Sequence, residues 1–214
     1  MVTIFDLLFL VSVVGCAVAV VVLIGALVLR RGAVTRAILL TLGCYGLLYA
    51  LGLVAVSALS PQRVIPTGQR QCFDDWCVAV SHAAQASTLH VGEQTVAAQG
   101  RFLVVTLQVT STAKRVSQRE QIAQVYLVDG AGRRYALSAV GQRALDAAGL
   151  SGPALDSAIG PGGAFTHTVV FDAPTDATDF SLVVAHPAFP GAIVIGDDQS
   201  FFHHPTLMQV DLAR

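Results

Sequence analysis

Two long stretches without a charge open the chain, and beyond them the hydrophobic pattern changes to a period of two. The first, LLFLVSVVGCAVAVVVLIGALVL from Leu7 to Leu29, is apolar on every face. At about 1.5 Å per residue it matches the hydrocarbon thickness of a bilayer and predicts a transmembrane helix. The second, AILLTLGCYGLLYALGLVAVSAL from Ala37 to Leu59, has the same character, and RRGAVTR between them leaves room only for a tight turn. The two predict a membrane hairpin over residues 1–60. A cleaved secretory signal does not fit, because the apolar run exceeds the roughly 7 to 15 residues of such a core and no Lys or Arg precedes it. VVGC at Val13 to Cys16 resembles a lipoprotein cleavage box only loosely, since the run continues well past Cys16.

SPQRVIPTGQRQ then carries two prolines and no periodicity, and reads as a short, stiff linker over 61–71. In RFLVVTLQVTST, Leu103, Val105, Leu107 and Val109 alternate with Thr106, Gln108 and Thr110, the pattern of a strand with one buried face. IAQVYLVDGAGRRYAL holds two strand-like pieces around Asp129-Gly130-Ala131-Gly132, a hairpin signal. FTHTVVFDAP, DFSLVVAHP, AIVIGDD and TLMQVDL predict further strands, as do WCVAVSHA and STLHVGEQTVAA nearer the linker. The fold class expected is a membrane-anchored all-β chain: two N-terminal transmembrane helices, then an immunoglobulin-like β-sandwich over 72–214 with eight or nine strands. SAVGQRALDAAGL, Ser138 to Leu150, breaks the pattern and predicts one short inserted helix.

Charge sets the direction of the hairpin. In the first sixty residues the charges are Asp6, Arg30, Arg31 and Arg36, so the three arginines assign the turn to the cytoplasm and place the sandwich and both termini on the other side. For a bacterial chain this means the inner membrane with a periplasmic domain. Only 13% of the 214 residues are charged, and the part beyond residue 60 has ten Lys or Arg against thirteen Asp or Glu. That balance lacks the basic stripe nucleic-acid binding needs.

Of four cysteines, Cys16 and Cys44 fall inside the spans, where a thiol packs as a small apolar group. Cys72 and Cys77 flank FDDW. Their spacing is neither that of a C-x-x-C redox pair nor half of a zinc site with its partners in view, and a structural disulfide is the expected reading over metal or redox chemistry. Such a bridge belongs outside the reducing cytosol. Asp74 and Asp75 are turn residues, and Trp76 is expected to plug the domain's edge or anchor at an interface.

Candidate chemistry is sparse. His82, His90, His167 and His186 are scattered over predicted strands, and His203 and His204, if on a strand, point to opposite faces, so no metal is expected. No histidine lies in a span to ligate a haem, and no nucleophile elbow, zinc-protease helix or phosphate loop occurs. No catalytic residue and no cofactor are assigned. Small residues at Gly15 and Ala19, and at Gly46 and Ala50, are expected to let helices approach closely. Tyr45 and Tyr49, inside the second span, need hydroxyl partners, either on another subunit or on the first helix. Trp76, Phe189, Phe201 and Phe202 are the candidate partner surface, with at least one of the phenylalanines expected in the core.

The order of Gly100-Arg101-Phe102 before LVVTLQVTST, the LVDGAGRRY hairpin and GPGGAFTHTVVFDAP resembles a bacterial family of exported immunoglobulin-like domains of unknown function. The resemblance covers about residues 76–185 and rests on the D-G-x-G-x-x-Y turn and the V-F-D-x-P strand end. The chain departs from it in having Val109-Thr110-Ser111-Thr112 where an asparagine commonly follows the first long strand. It implies attachment to a membrane or a lipid and transfers no catalytic residue. The function expected is that of a non-catalytic accessory or scaffolding subunit, with the bilayer and other membrane subunits as partners; a respiratory or photosynthetic assembly would suit. The alternative is an independent envelope module binding a ligand, peptide or metal.

Overall fold

The structure, a computed structural model, describes residues 4–91, 94–186 and 189–212. It divides into two compact units, residues 1–61 with 188–204 and residues 62–187 with 205–214.

In the first unit α1 (Ile4–Val28) and α2 (Gly32–Leu59) form a helical hairpin. Both are long and apolar enough to cross a membrane. Leu10, Val14 and Val21 of α1 and Leu40, Leu48 and Leu51 of α2 are exposed, which the core helices of a globular domain are not. The turn between them is shorter than expected. Arg30 adopts a positive φ of 51° and Arg31 donates its N–H to the Ala26 carbonyl at 2.8 Å, so α2 is under way at Gly32 and Arg36 lies on the helix rather than in the turn.

The same unit contains residues 189–204, and this corrects the expected unbroken domain of 72–214. AIVIGDD is not a strand. Gly191–Ile193 form one 3-10 turn, with the N–H of Ile193 bonded to the Pro190 carbonyl and that of Val194 to Gly191, while Val194 and Ile195 are buried. An apolar run this short satisfies burial equally well as a turn.

The second unit is a β-sandwich. Nine strands are found among its described residues: β1 (Val64–Ile65), β2 (Gln71–Phe73), β3 (Trp76–Val91), β4 (Gln94–Ser111), β5 (Gln124–Val128), β6 (Arg134–Tyr135), β7 (Ala164–Ala173), β8 (Ser181–Ala185) and β9 (Leu207–Gln209). One sheet runs β1-β9-β8-β5-β6 and the other β2-β3-β4-β7. The 61–71 stretch is more than a linker, because β1 within it pairs in parallel with β9, Val64 opposite Leu207. β3 and β4 pair along their length as one long hairpin rather than as several short strands. Its pairing slips at Val80/His82 and Ala86/Thr88, and these bulges account for the broken periodicity of the sequence.

Leu103, Val105, Leu107 and Val109 are all fully buried, meeting Val78 and Val80 of β3, Val169 and Phe171 of β7, and Leu127, Leu182 and Met208 of the facing sheet. The helix α3 (Ala139–Ala147) confirms the inserted helix and lies on the outer face of the four-stranded sheet, where Ala144 and Leu145 bury Phe102 and Val170. A Cβ on Gly141 would stand 2.7 Å from Val170 Cγ1, so this glycine sets how closely the helix approaches. Gln142 covers the free edge of β7: its amide donates to the Thr168 carbonyl at 3.1 Å and accepts the Val170 N–H at 3.2 Å. With the Ser138 N–H, which donates to the Val170 carbonyl, and the Ser151 carbonyl, which accepts the Thr168 N–H, this side chain masks an edge open to mispairing.

Candidate functional site

The hairpin carries the most distinctive surface. The Tyr45 hydroxyl is hydrogen-bonded to the Ser12 hydroxyl of α1, one of the two expected partners. Tyr49 finds a third: it donates to the main-chain carbonyl of Ile193 at 2.8 Å. Further along α2, Ser57 is bonded to Ser200 at 2.9 Å, both side chains being buried. Between the helices lies an open groove of about 480 Å³ lined by Phe9, Ser12, Cys16, Tyr45, Gly46 and Ala50 among others. The small residues do not close it. A Cβ added at Gly15 or Gly46 would meet nothing within 4 Å, so the expected close helix approach at these positions is not made inside the hairpin. The Tyr45–Ser12 bond ties the two helices together, whereas Tyr49 bonds the main chain of Ile193 instead.

Asp197, in the same unit, feels Asp6 at the start of α1. Burial pushes its carboxyl above the usual range, and the nearby Asp198 and Asp6 charges push the same way. His203 Nε2 stands 3.7 Å from Asp198 Oδ1. Neither His203 nor His204 lies on a strand. Among the described residues no three His, Cys, Asp or Glu side chains come together as a cation site requires.

Phe189, Phe201 and Phe202 are exposed by 79, 56 and 72%, so none of the three is in the core. Trp76 is only 2% exposed and packs in the sandwich core beside Phe73, which removes it from any partner surface. The reason is register: Trp76 pairs with Phe73 directly across the β2–β3 turn, and the inward side of that pair faces the core. Cys72 and Cys77, the adjacent pair in the same ladder, form a disulfide. Asp74 takes a positive φ of 53° in the two-residue turn, a conformation aspartate tolerates better than most.

The motif residues of the sandwich are structural. Asp129 is buried, and its carboxylate accepts the N–H groups of Ala131 and Arg133, the Arg133 Nε at 2.6 Å and the Tyr135 hydroxyl at 2.8 Å. Burial opposes its charge, but the hydrogen bonds from Tyr135 and Arg133 prevail and lower its pKa to about 2. Asp172 clamps the bulge of β4, accepting the N–H of Gln99 at 2.8 Å and of Gly100 at 3.0 Å. Gly100 is obligatory there, as a Cβ would lie 2.2 Å from the Ala173 carbonyl oxygen. The apparent strand start at Gly100 is therefore the point where β4 begins to pair with β7. Sequence reasoning assigned no task to Asp172 or Gln142, whose partners lie far off in the chain.

Comparison with known proteins gives a family and no chemistry. A family model described as "Domain of unknown function (DUF4352)" matches residues 66–193. No curated protein matches the chain. Among solved structures, a conserved hypothetical protein from Bacillus anthracis is 14% identical, with a TM-score of 0.45 over 56% of this chain and 89% of its own. The secreted protein MPT63 from Mycobacterium tuberculosis is 13% identical, with a TM-score of 0.45 over 70% and 98%. An uncharacterized β-sandwich protein from Clostridium difficile is 11% identical, with a TM-score of 0.42 over 71% and 96%.

Proposed function

The chain belongs to the DUF4352 family, and since that family is described only as a domain of unknown function, we propose from the chain's own geometry that it is a non-catalytic accessory subunit of a larger membrane complex. Its hairpin spans the bilayer of a bacterial inner membrane, and its sandwich, of the immunoglobulin-like kind, stands on the periplasmic side. The disulfide Cys72–Cys77 supports that side, because cytosolic thiols stay reduced.

The observation that carries the reading is the groove of about 480 Å³ between α1 and α2. Helices in lipid associate through close packing of small residues rather than through a hydrophobic drive. Here Gly46 and Ala50 line an unfilled space and Gly15 meets no neighbour, so these positions are free for a helix from another subunit. The sandwich offers less: an open depression of about 420 Å³ lined by Asp75, Lys114, Arg115 and their neighbours, with none of the convergent buried polar groups of a ligand pocket.

The test is extraction from the native membrane in mild detergent, native electrophoresis and mass spectrometry of what co-migrates. A stable large complex that is lost on Gly46→Leu supports the subunit reading. A lone monomer that stays monomeric at native abundance sinks it and directs attention to the depression at Asp75 and Lys114.

A further inference from the structure

Residues 189–204 meet α2 in a fixed order. Ile193 receives the Tyr49 hydroxyl, Ile195 Cδ1 lies against Gly52, and Ser200 bonds Ser57. From Tyr49 to Ser57 a helix rises about 12 Å. The segment is therefore laid along the last three turns of α2, running from well inside the apolar stretch toward its end. Its composition follows that gradient. The part beside Tyr49 is Gly191-Ala192-Ile193-Val194-Ile195, whereas Asp197, Asp198 and Gln199 fall near Ser57 and the start of α1, where Asp6 adds its charge to that of Asp197 and Phe5 packs against Gly196.

The main-chain carbonyls of the apolar half are well supplied with donors. The carbonyls of five consecutive residues all have donors: Pro190 from Ile193, Gly191 from Val194, Ala192 from Phe201, Ile193 from Tyr49 and Val194 from Asp197. A surface loop in water has no need of this, whereas irregular backbone at membrane depth must have it. Beside these satisfied carbonyls, Phe189, Phe201 and Phe202 stand exposed.

We infer that residues 189–204 are a lobe inserted into the leaflet where α1 begins and α2 ends, with Gly191–Ile195, Phe189 and Phe201 in the hydrocarbon and Asp197–Gln199 at the headgroups. The occupant of the exposed aromatic surface is lipid. Tyr49 is the positioning residue, since it closes the one carbonyl of the run that the lobe cannot close itself. The inference rests on the hairpin spanning a bilayer, and the experiment separates the two.

The full chain carrying Cys16→Ala and Cys44→Ala is labelled with a nitroxide at Phe201→Cys, at Phe189→Cys, at Leu48→Cys in the hairpin or at Val116→Cys on the sandwich. Each is reconstituted in nanodiscs of phosphatidylethanolamine and phosphatidylglycerol, with unchanged Trp76 emission as the check of folding. Collision with dissolved oxygen reports lipid and collision with a nickel chelate reports water. The labels at 201 and 189 are expected to lose nickel collisions and gain oxygen collisions as the label at 48 does, while that at 116 stays open to nickel. Nickel access at 201 and 189 with none at 48 overturns the lobe and leaves the spanning hairpin intact. Shielding from both reagents means a protein surface, such as a second copy, and also overturns it. Nickel access at 48 removes the spanning hairpin and the lobe with it.

Discussion

Tyr135 donates its hydroxyl to the Asp129 carboxylate at 2.8 Å across the turn that gives the sequence its D-G-x-G-x-x-Y signature. The bond accounts for the spacing: Leu127 pairs with Tyr135 and Val128 with Arg134, so the tyrosine returns beside the strand that the aspartate ends. With the Arg133 side chain and two N–H groups, Asp129 fastens the whole loop through one buried charge.

That charge makes the sandwich acid-sensitive in a defined window. The Asp129 pKa is lowered to about 2, below the unfolded value of about 3.9. Its contribution to stability is therefore full above about pH 4 and is lost as pH falls through about 2. Urea unfolding followed by emission of the single tryptophan, Trp76, is expected to show a midpoint that drops between pH 5 and pH 2. Asp129→Asn should lower the midpoint at pH 7 and flatten the dependence. An unchanged slope in the variant would assign the acid sensitivity elsewhere.

The Gly100–Asp172 clamp should be intolerant. Gly100→Ala places a methyl group 2.2 Å from a main-chain oxygen, and the backbone must move to admit it, at a cost of about 3 kcal/mol or more. Asp172→Ala leaves the N–H groups of Gln99 and Gly100 without their acceptor, at about 1–3 kcal/mol. The double variant should cost less than the sum, because both changes open the same bulge. Denaturant titration of all three chains decides it.

For the disulfide, intact mass without reductant should be two hydrogens below that of the reduced chain. Reduction, or Cys72→Ser with Cys77→Ser, is expected to destabilise the sandwich by about 2 kcal/mol on the chain-entropy account of so small a loop. Trp76 abuts Cys77, so its emission reports the change directly. A bridge that is absent from protein isolated under oxidising conditions would withdraw the support it gives to the periplasmic side.

Gln142 can be tested by hydrogen exchange. Replacement by alanine strands the Val170 N–H and the Thr168 carbonyl on an edge strand, and exchange at Val170 should accelerate about tenfold for each 1.4 kcal/mol of lost local stability. Replacement by glutamate restores the acceptor for Val170 but not the donor for Thr168, and should recover protection in part.

What the sequence made legible was local and periodic. The alternation of Leu103, Val105, Leu107 and Val109 states its buried face outright, Asp129-Gly130 states its turn, and the two charge-free runs state their helices. The misreadings share a physical cause, which is a requirement set by a distant part of the chain. Ala192 to Ile195 are β-prone by composition, but their main chain bonds as a turn while Val194 and Ile195 are buried. Trp76 reads as an edge residue until its pairing with Phe73 turns it inward. That Gly15 and Gly46 meet no neighbour within their own hairpin is visible only in the folded chain. The clamp of Asp172 and the edge cap of Gln142 act on main-chain groups, which leave no mark in a hydrophobic pattern.

The parallel pairing of Val64 and Ile65 with Leu207 and Met208 also fixes a timetable for synthesis. On the growing chain the first strand of the five-stranded sheet emerges soon after the helices, yet its partner is made some 140 residues later. Until then β8 and β1 both wait with open edges, and the sheet cannot finish from the N-terminal side. A message cut short before residue 207 would yield a chain with its hairpin and most of its core but with that gap permanently open. Quality-control proteases would meet such a chain as an unfinished protein rather than as a shorter one.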